Sequence, residues 1–407
     1  MARYSHLLLI LGIHFIFISS QVCNDSLVPV ILVPGLGGSQ LEAQLNKPTV
    51  KHSFCNSITN RFFNLWLDVK QLLPVVIDCW IDNIRLNYDD FSNHTYNQPG
   101  VKIRVSDFGN PKVVEYLDSK SWFPVEGYLN VLTKAIVDLG YTRSKNLYAA
   151  PYDFRKGPSE LGNWFEELEE LIENAYRNNT SSVILIGHSM GGLLIHKFLI
   201  NKSQIWKDKY IKAFISLSTP FGGSMKALKV FASGDDLGVF LLRPAILREV
   251  LSTMPSMAYL LPVKKIWGDE ILVTTNEKNY TLDDLEQFFI DIGNPTGWKM
   301  YLNEREYATE LGPPGVEVRC FYGEGSATIK RLIYGSNGFR RSPLLEFEDG
   351  DGTASLRSLE YCKKWITQQK ERVQTKVFDE IDHMGVIQDN LALESIVRAV
   401  RELSNCE

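Results

Sequence analysis

The chain has 407 residues, of which 44% are hydrophobic, 22% are charged and 11% are aromatic. This composition is that of a globular protein, and it excludes a disordered tail, a coiled coil or a collagen-like polymer. The formal net charge of −5 provides no basic field for a nucleic-acid backbone, so we expect no nucleic-acid partner.

The first 20 residues have the pattern of a cleaved secretory signal. Arg3 supplies a positive charge, residues 7–18 are apolar apart from Gly12 and His14, and small serines follow. No later stretch approaches the roughly 18 uninterrupted apolar residues that a membrane span needs. We therefore expect residues 1–20 to be removed and residues 21–407 to travel through the secretory pathway, to the lysosome or the extracellular space.

Passage through the secretory pathway agrees with six N-x-S/T triplets, at which we predict N-glycosylation. The triplets begin at Asn24, Asn93, Asn178, Asn179, Asn201 and Asn279. We do not expect the adjacent Asn178 and Asn179 both to be modified.

The six cysteines would meet an oxidising lumen, where disulfides form. Six cysteines allow 15 pairings, and the sequence alone does not choose among them. The most local choices are Cys55 with Cys79 and Cys320 with Cys362. Cys23 and Cys406 are then either free or joined to each other.

Short buried strands alternate with helices along much of the chain, which predicts an α/β fold with a mainly parallel sheet covered on both faces. The first strand covers residues 27–33 and runs into the loop "VPGLGGSQL". Further strands are predicted in "KNLYAAPYDF", "SVILIG", "YIKAFISLSTPFGG" and "VEVRCFYG", and helices near 159–177 and 190–200.

Two stretches depart from this alternation. Between the second and third cysteines, Phe62, Trp66, Val69 and Leu73 fall on one face of a predicted helix. That helix is either packed on the core or in contact with a membrane. Residues 224–317 are irregular and rich in turns, which is typical of a cap or lid inserted after a core strand.

The strongest local signal is "GHSMG" at residues 187–191, which fits the pattern G-x-S-x-G between a buried strand and a helix. A serine on such a sharp turn needs neighbours without side chains, because the backbone is strained and substrate must reach the hydroxyl. The N-terminus of the following helix also offers unpaired N–H groups to a developing oxyanion. We therefore predict Ser189 as the nucleophile, with an ordinary structural turn as the alternative.

The general base follows from elimination. A serine hydroxyl is a weak nucleophile, and in a strand-turn-helix fold of this kind the base follows it in the chain. Of the seven histidines, only His196 and His383 lie beyond Ser189. His196 is two turns along the next helix, too far from the serine hydroxyl for a hydrogen bond. We predict His383 as the base and His196 as a packing or surface residue.

The acid is expected between the nucleophile and the base. The loop "FEDGDGTAS" offers Asp349 and Asp351, and we favour Asp351, which would hold the His383 tautomer and stabilise its imidazolium. An alternative is calcium binding, because Asp349, Asp351 and Glu360 have the spacing of EF-hand ligands. Ala354 argues against it, because that position of the loop requires glycine. We expect no metal and no cofactor.

The oxyanion hole requires two backbone donors. Met190 N–H directly follows the nucleophile, and a second donor is expected in the loop after the first strand. We choose Leu36 N–H there, because a loop rich in glycine can expose a backbone amide. The alternative is that residues 34–38 form an ordinary turn.

Long segments of the chain resemble the family of lysosomal phospholipase A2 (group XV) and lecithin–cholesterol acyltransferase. The segments are "LVPGLGGSQLEAQLNKP", "LWLDVKQLLPVVIDCWIDNI", "APYDFRKGP", "GHSMGG", "WKDKYIKAFISLSTPFGGS", "FFIDIG", "PPGVEVRCFYG" and "GDGTASLRSLEYC". The resemblance implies an α/β-hydrolase with a cap at about residues 224–317 and a membrane-binding subdomain at about 50–95, working without metal.

Position by position, the resemblance implies Ser189 as nucleophile, Asp351 as acid and His383 as base. It also implies disulfides between Cys55 and Cys79 and between Cys320 and Cys362. It places Leu65, Trp66, Leu72 and Leu73 in the element that meets a bilayer, which favours membrane contact over simple packing.

The resemblance implies a phospholipase A and O-acyltransferase that transfers a phospholipid acyl chain to water or a lipid alcohol such as ceramide. The alternatives are a secreted acyltransferase with a sterol acceptor at neutral pH, a neutral lipase or esterase, and a non-catalytic binding protein. We expect a monomer whose partners are a phospholipid bilayer or lipoprotein surface and the acceptor alcohol.

One position departs from the pattern. Where the lysosomal enzyme has an aspartate in its oxyanion loop, this chain has Leu36. A carboxyl group beside the oxyanion would tie activity to acid pH, because only its neutral form tolerates that charge. With Leu36 at this position, the sequence argues against an activity confined to acid pH.

Overall fold

The computed structural model describes residues 27–118, 127–235 and 243–404. The predicted signal segment, the triplet at Asn24, Cys23 and Cys406 lie outside the described residues.

The strands are β1 (Val30–Val33), β2 (Leu41–Leu45), β3 (Phe63–Trp66), β4 (Leu86–Asp89), β5 (His94–Asn97), β6 (Val101–Val105), β7 (Leu147–Ala149), β8 (Val183–His188), β9 (Ile211–Leu217), β10 (Val273–Thr274), β11 (Asn279–Tyr280), β12 (Val318–Glu324), β13 (Thr328–Ile333), β14 (Leu344–Glu348) and β15 (Val373–Asp379).

The α-helices are α1 (Ile77–Ile84), α2 (Lys112–Glu115), α3 (Asn130–Val137), α4 (Gly162–Asn179), α5 (Met190–Ile200), α6 (Gln204–Tyr210), α7 (Met225–Ser233), α8 (Pro244–Leu251), α9 (Pro255–Tyr259), α10 (Lys264–Trp267), α11 (Leu285–Asp291), α12 (Pro295–Thr309), α13 (Leu356–Leu359) and α14 (Asn390–Leu403). Short 3₁₀ helices cover Val69–Leu72, Pro158–Glu160, Leu282–Asp284, Gly338–Arg340, Glu360–Thr367 and Gly385–Ile387.

Six strands of the described chain form a parallel sheet in the order β15-β12-β9-β8-β1-β7. Its central strands are continuous apolar runs, as expected for strands covered on both faces. In β1, Val30 and Leu32 pack in the cluster that contains α3 and α14, while Ile31 and Val33 pack in the cluster that contains α4 and α5. This alternation confirms the predicted parallel sheet with helices on both faces.

The carboxyl ends of the parallel strands lie at one edge of the sheet, where sites in such folds form. β8 ends there at His188, and its neighbour β1 ends at Val33, paired with Gly187. The loops that follow β1 and β8 therefore begin side by side at this edge.

The region between Cys55 and Cys79 is not the helix that the sequence predicts. Phe63–Trp66 form β3, which pairs antiparallel with β2 in a sheet of order β3-β2-β6, and Val69–Leu72 form a 3₁₀ helix. The reason is tertiary packing: Trp66 is held between Trp80, at 6.1 Å, and Phe154, at 5.6 Å between ring centroids. A short apolar run cannot by itself distinguish strand from helix.

Disulfides join Cys55 to Cys79 and Cys320 to Cys362, with Cα atoms 5.5 Å and 6.8 Å apart. The first closes the segment that carries β3. The second ties β12 to the 3₁₀ helix Glu360–Thr367, next to the loop that carries Asp351.

Helices α7 to α12 occupy most of the stretch that the sequence marks as irregular. The stretch is also joined to the rest of the chain by a sheet of order β11-β10-β13-β14, in which β10 pairs in parallel with β13. Helix α12 packs against α9 and against the 3₁₀ helix Pro158–Glu160. No helix in the described ranges has the length and apolar character needed to cross a bilayer.

Candidate active site

Ser189 lies on the turn between β8 and α5, with φ 55° and ψ −127°. A side chain with positive φ is strained, and such strain persists only where surrounding packing enforces it. A Cβ on Gly187 would lie 2.7 Å from Gly192 N, and one on Gly191 would collide with Pro34 O. The glycines of the motif are therefore required by close contacts between the turn, helix α5 and the loop after β1.

His383 follows β15 and lies beside the serine. Its Nε2 is 2.9 Å from Ser189 Oγ, a hydrogen-bonding distance. The side chain is 12% exposed, so the imidazole is sheltered but can be reached from solvent. The geometry is that of a base poised to take the hydroxyl proton.

Asp351 is fully buried, and its Oδ2 accepts a hydrogen bond from His383 Nδ1 at 2.7 Å. Its Oδ1 accepts from the amides of Thr353, at 2.9 Å, and Ala354, at 2.8 Å. Burial by itself raises a carboxyl pKa, but the charge of His383 and these hydrogen bonds hold the pKa of Asp351 below its ordinary value. A carboxylate held ionised in this way fixes the histidine tautomer that presents Nε2 to the serine.

The backbone of the same loop reinforces this contact. His383 N donates to Asp351 O at 2.8 Å, so the two residues are joined by a main-chain hydrogen bond as well as by the side-chain hydrogen bond. The structure thus brings together the three residues that the sequence proposed, from three separate loops at the carboxyl edge of the sheet.

Leu36 and Met190 supply amides beside Ser189. Leu36 lies in a turn closed by a hydrogen bond from Gly38 N to Gly35 O at 3.0 Å, and a Cβ on Gly35 would be 2.9 Å from Ser189 Cβ. Met190 begins α5, so its N–H has no partner within the helix. In the described part of the chain, neither amide donates a hydrogen bond to another residue. The two amides therefore remain the donors predicted for an oxyanion hole.

Sequence reasoning missed two side chains at the site, Tyr128 and His188. The Tyr128 hydroxyl lies 2.6 Å from His188 Nδ1 and accepts a hydrogen bond from Gly35 N at 2.8 Å. His188 could have been noticed, because it is the variable residue before the motif serine. Tyr128 carries no local signal, because its partners are far away in the chain.

His196 is a packing residue, as predicted, and not a surface one. It is 3% exposed, stacks on Trp365 at 4.9 Å, and its Nε2 lies 2.7 Å from Gly312 O. Burial lowers the pKa of His196 to about 4, so the ring is neutral at ordinary pH.

The residues proposed for bilayer contact differ in exposure. Leu65 and Leu72 are buried, and Trp66 is 8% exposed with its Nε1 donating to Gly37 O at 2.7 Å. The prediction that these three meet a bilayer is wrong for this structure, because their side chains form core. Leu73 is 55% exposed, and its neighbour Val75 is 74% exposed.

Four of the predicted glycosylation sites in the described ranges are exposed, namely Asn93, Asn178, Asn201 and Asn279. Asn179 is half-buried, and its Nδ2 donates to Ala175 O at 2.9 Å. Of the adjacent pair, Asn178 is the more accessible.

A parallel sheet with helices on both faces and a serine on the turn between a central strand and a helix defines the α/β-hydrolase class. The family model for lecithin:cholesterol acyltransferase matches residues 62–390, and the chain belongs to that family.

Two relatives of this chain carry different enzyme names. The chain is 41% identical to the phosphatidylcholine-sterol acyltransferase of Gallus gallus over 372 residues, covering 91% of this chain and 89% of the relative. It is 41% identical to the lysosomal phospholipase A and acyltransferase of Homo sapiens over 374 residues, covering 91% of this chain and 90% of the relative. Among solved structures, mature Bacillus licheniformis lipase BlEst2 aligns over 94% of this chain and 95% of its own, with 12% identity and a TM-score of 0.36.

Proposed function

We propose that this protein is a serine phospholipase A and O-acyltransferase, which cleaves an acyl ester of a glycerophospholipid and passes the acyl chain to water or to a lipid alcohol such as ceramide. The observation that carries the proposal is the hydrogen-bonded series from Asp351 through His383 to Ser189, at 2.7 Å and 2.9 Å. The likeness to relatives named as phospholipase and acyltransferase supports the choice of lipid esters.

In the first half of the reaction, Ser189 Oγ attacks the ester carbonyl while His383 Nε2 takes the hydroxyl proton. The negative charge that develops on the carbonyl oxygen is stabilised by the N–H groups of Leu36 and Met190. His383 then gives its proton to the departing lysophospholipid oxygen, leaving an acyl ester on Ser189.

In the second half, His383 removes a proton from water or from the hydroxyl of the acceptor lipid, and that oxygen attacks the acyl-enzyme. The same N–H groups stabilise the second oxyanion, and Ser189 is regenerated. No step requires a metal or a cofactor.

A second candidate acceptor is a sterol. It is favoured by the likeness to phosphatidylcholine-sterol acyltransferases at the same level of identity as to the lysosomal enzymes. We also propose that the protein resides in the lysosome or the extracellular space, which fits the N-terminal signal pattern and the name of the lysosomal relatives.

We propose that residues 224–317 act as a cap over the site and that the exposed Leu73 and Val75 contact a lipid surface. The first residue of the cap, Ser224, is bound to the loop that carries Asp351, because its hydroxyl donates a hydrogen bond to Thr353 O. Two exposed apolar side chains separated by one residue are suited to insertion between lipid headgroups.

The experiment is product analysis with phosphatidylcholine liposomes that contain either N-acetylsphingosine or cholesterol, at pH about 5 and about 7.5, in the presence of a chelator. Acylated sphingolipid with free fatty acid supports the main proposal, and sterol ester supports the second. Ser189→Ala is the control and should remove all products while leaving liposome binding intact. Products formed by that variant would overturn the proposal.

A further inference from the structure

A chain of buried hydrogen bonds runs behind the nucleophile. Gly35 N lies 2.8 Å from Tyr128 Oη, Tyr128 Oη lies 2.6 Å from His188 Nδ1, and His188 Nε2 lies 3.0 Å from His383 O. Tyr128 and His188 are 7% and 3% exposed, so water does not compete for these bonds. The chain joins the loop of Leu36 at one end to the main chain of His383 at the other.

The donor and the acceptor of each hydrogen bond follow from the two backbone groups at the ends of this chain. A backbone N–H such as that of Gly35 only donates, and a carbonyl such as that of His383 only accepts. Tyr128 must therefore accept from Gly35 and donate its own proton to His188 Nδ1. His188 must carry its proton on Nε2, from which it donates to His383 O.

This arrangement requires neutral His188, and the surroundings maintain it. Burial, with repulsion from His383 as a smaller cause, lowers the pKa of His188 to about 3. The same tautomer therefore persists at both lysosomal and neutral pH. Burial likewise raises the pKa of Tyr128, which keeps the phenol protonated.

The packing around Tyr128 is equally tight. A Cβ on Gly38 would lie 2.5 Å from Tyr128 Cε1, and a Cβ on Gly35 would lie 3.1 Å from the Tyr128 hydroxyl oxygen. The glycines of the loop after β1 thus leave room for the Tyr128 ring. The ring also meets His188 edge-on, with centroids 5.6 Å apart.

We infer that Tyr128 and His188 are positioning residues that lock the oxyanion loop and the histidine base into one rigid unit around Ser189. The inference rests on the proposed function, because it assigns the two residues a role in the same ester chemistry. Fixing Gly35 N–H restrains the peptide that precedes the Leu36 amide. Fixing His383 O restrains the backbone that carries the imidazole.

Rigid placement of this kind matters most in the transition state. An oxyanion donor that is displaced by a fraction of an ångström stabilises the tetrahedral intermediate less, while the ground-state substrate is bound as before. Loss of the chain should therefore lower kcat much more than it changes KM.

The test uses the full chain with Tyr128→Phe, which removes one hydroxyl and keeps the ring, and His188→Phe, which removes both ring nitrogens. His188→Gln is the rescue variant, because its amide can still donate towards His383 O. Tyr141→Phe is the matched control: Tyr141 is 2% exposed, packs in the same core cluster as Tyr128, and its hydroxyl donates to Val28 O at 2.8 Å.

The measurements are kcat and KM on a soluble short-chain ester, the labelling rate of Ser189 by a fluorophosphonate, and the melting temperature. We expect Tyr128→Phe and His188→Phe to lower kcat and the labelling rate by about tenfold or more, with KM within about twofold. The double variant should lose no more than the worse single variant, because both act through one chain. His188→Gln should recover part of the loss.

If Tyr128→Phe and Tyr141→Phe lower the melting temperature alike and both keep full kcat and labelling rate, the residues only support packing and the inference is overturned. Failure of the proposed function gives a different result, because turnover would then survive in Ser189→Ala. If the wild-type protein turns over no ester, the fluorophosphonate labelling rate still decides whether the chain positions the site.

Discussion

Glu304, on α12, accepts hydrogen bonds from both the hydroxyl and the amide of Ser159, at 2.5 Å and 3.3 Å. Its side chain is completely buried, and burial raises the pKa of Glu304 to about 8, although Ser159 and Lys156 act in the opposite direction. When the carboxyl group is protonated, it still accepts from the amide, and its own proton can go to the Ser159 hydroxyl oxygen, which then acts as the acceptor. The proposed cap is thereby joined to the segment that precedes α4.

This contact predicts that acid favours the folded protein. The carboxyl pKa is higher in the folded chain, about 8, than its ordinary value of 4.5, so the contribution of Glu304 to stability is complete below pH 4.5 and is lost as pH rises towards 8. Glu304→Gln mimics the neutral acid and should remove this part of the pH dependence. Between pH 5 and 8, we expect the melting temperature of the natural chain to fall by roughly 3–5 °C more than that of the variant.

Calorimetry across this pH range checks the effect, with Ser159→Ala as a control that loses the hydroxyl hydrogen bond and keeps the Glu304 carboxyl group. Parallel pH profiles for the natural chain and Glu304→Gln would mean that the carboxyl group is ionised in the folded state.

Asp351→Asn should nearly abolish catalysis without unfolding the site. The amide can present a donor to His383 Nδ1 and thereby select the wrong tautomer, for which losses in kcat of about 10³–10⁴-fold are expected. Asp349→Asn is the matched control, because its Oδ1 accepts from Gly325 N at 2.8 Å and does not touch His383. Equal losses in the two variants, measured on a soluble ester, would exclude Asp351 as the specific partner of the base.

Because the pKa of Asp351 lies below its ordinary value of 3.8, the carboxylate is ionised at pH 5 as at pH 7. Protonation of Asp351 should therefore not limit activity at the pH of the lysosome or at neutral pH. A rate profile on the soluble ester between pH 4.5 and 7.5 checks this expectation in the natural chain.

Leu36→Asp should confine activity to acid pH. A carboxylate at this position would repel the oxyanion, so only the protonated fraction of the variant would be active. Leu36→Asn has the same shape and no charge, and its pH profile should resemble that of the natural chain. The measurement is kcat/KM from about pH 4.5 to 7.5, and a profile for Leu36→Asp like that for Leu36→Asn would place residue 36 away from the developing charge.

Leu73→Asp combined with Val75→Asp should weaken binding to phosphatidylcholine liposomes by about tenfold or more, because burial of each apolar side chain contributes about 1.5–3 kcal/mol. Turnover of a soluble ester should be unchanged. Leu344→Asp is the control, since Leu344 is 76% exposed but lies on the edge strand β14. Liposome flotation gives the affinities, and an equal effect of the control would assign the loss to general charge repulsion.

The sequence by itself determined the class of the fold and the identities of the three residues at the centre of the site. Ser189 is marked by a local requirement, because a strained turn with close backbone contacts needs its glycines on either side. His383 and Asp351 follow from chain order and from elimination, and helix α5 begins and ends where the apolar run predicts. The turn at Ser189 and helix α5 are therefore encoded by residues that are adjacent in the chain, whereas Asp351 and His383 follow from their order in it.

Only the tertiary structure decided which apolar residues are core. The run around Trp66 is compatible with a helix, a strand or a membrane-facing segment, and the contacts with Trp80 and Phe154 selected the buried strand. Likewise, only the tertiary structure shows which residues form hydrogen bonds with Tyr128, His188 and Glu304. Each pairing joins residues that are at least 60 positions apart, so it depends on how the elements pack and leaves no periodic signal in the sequence.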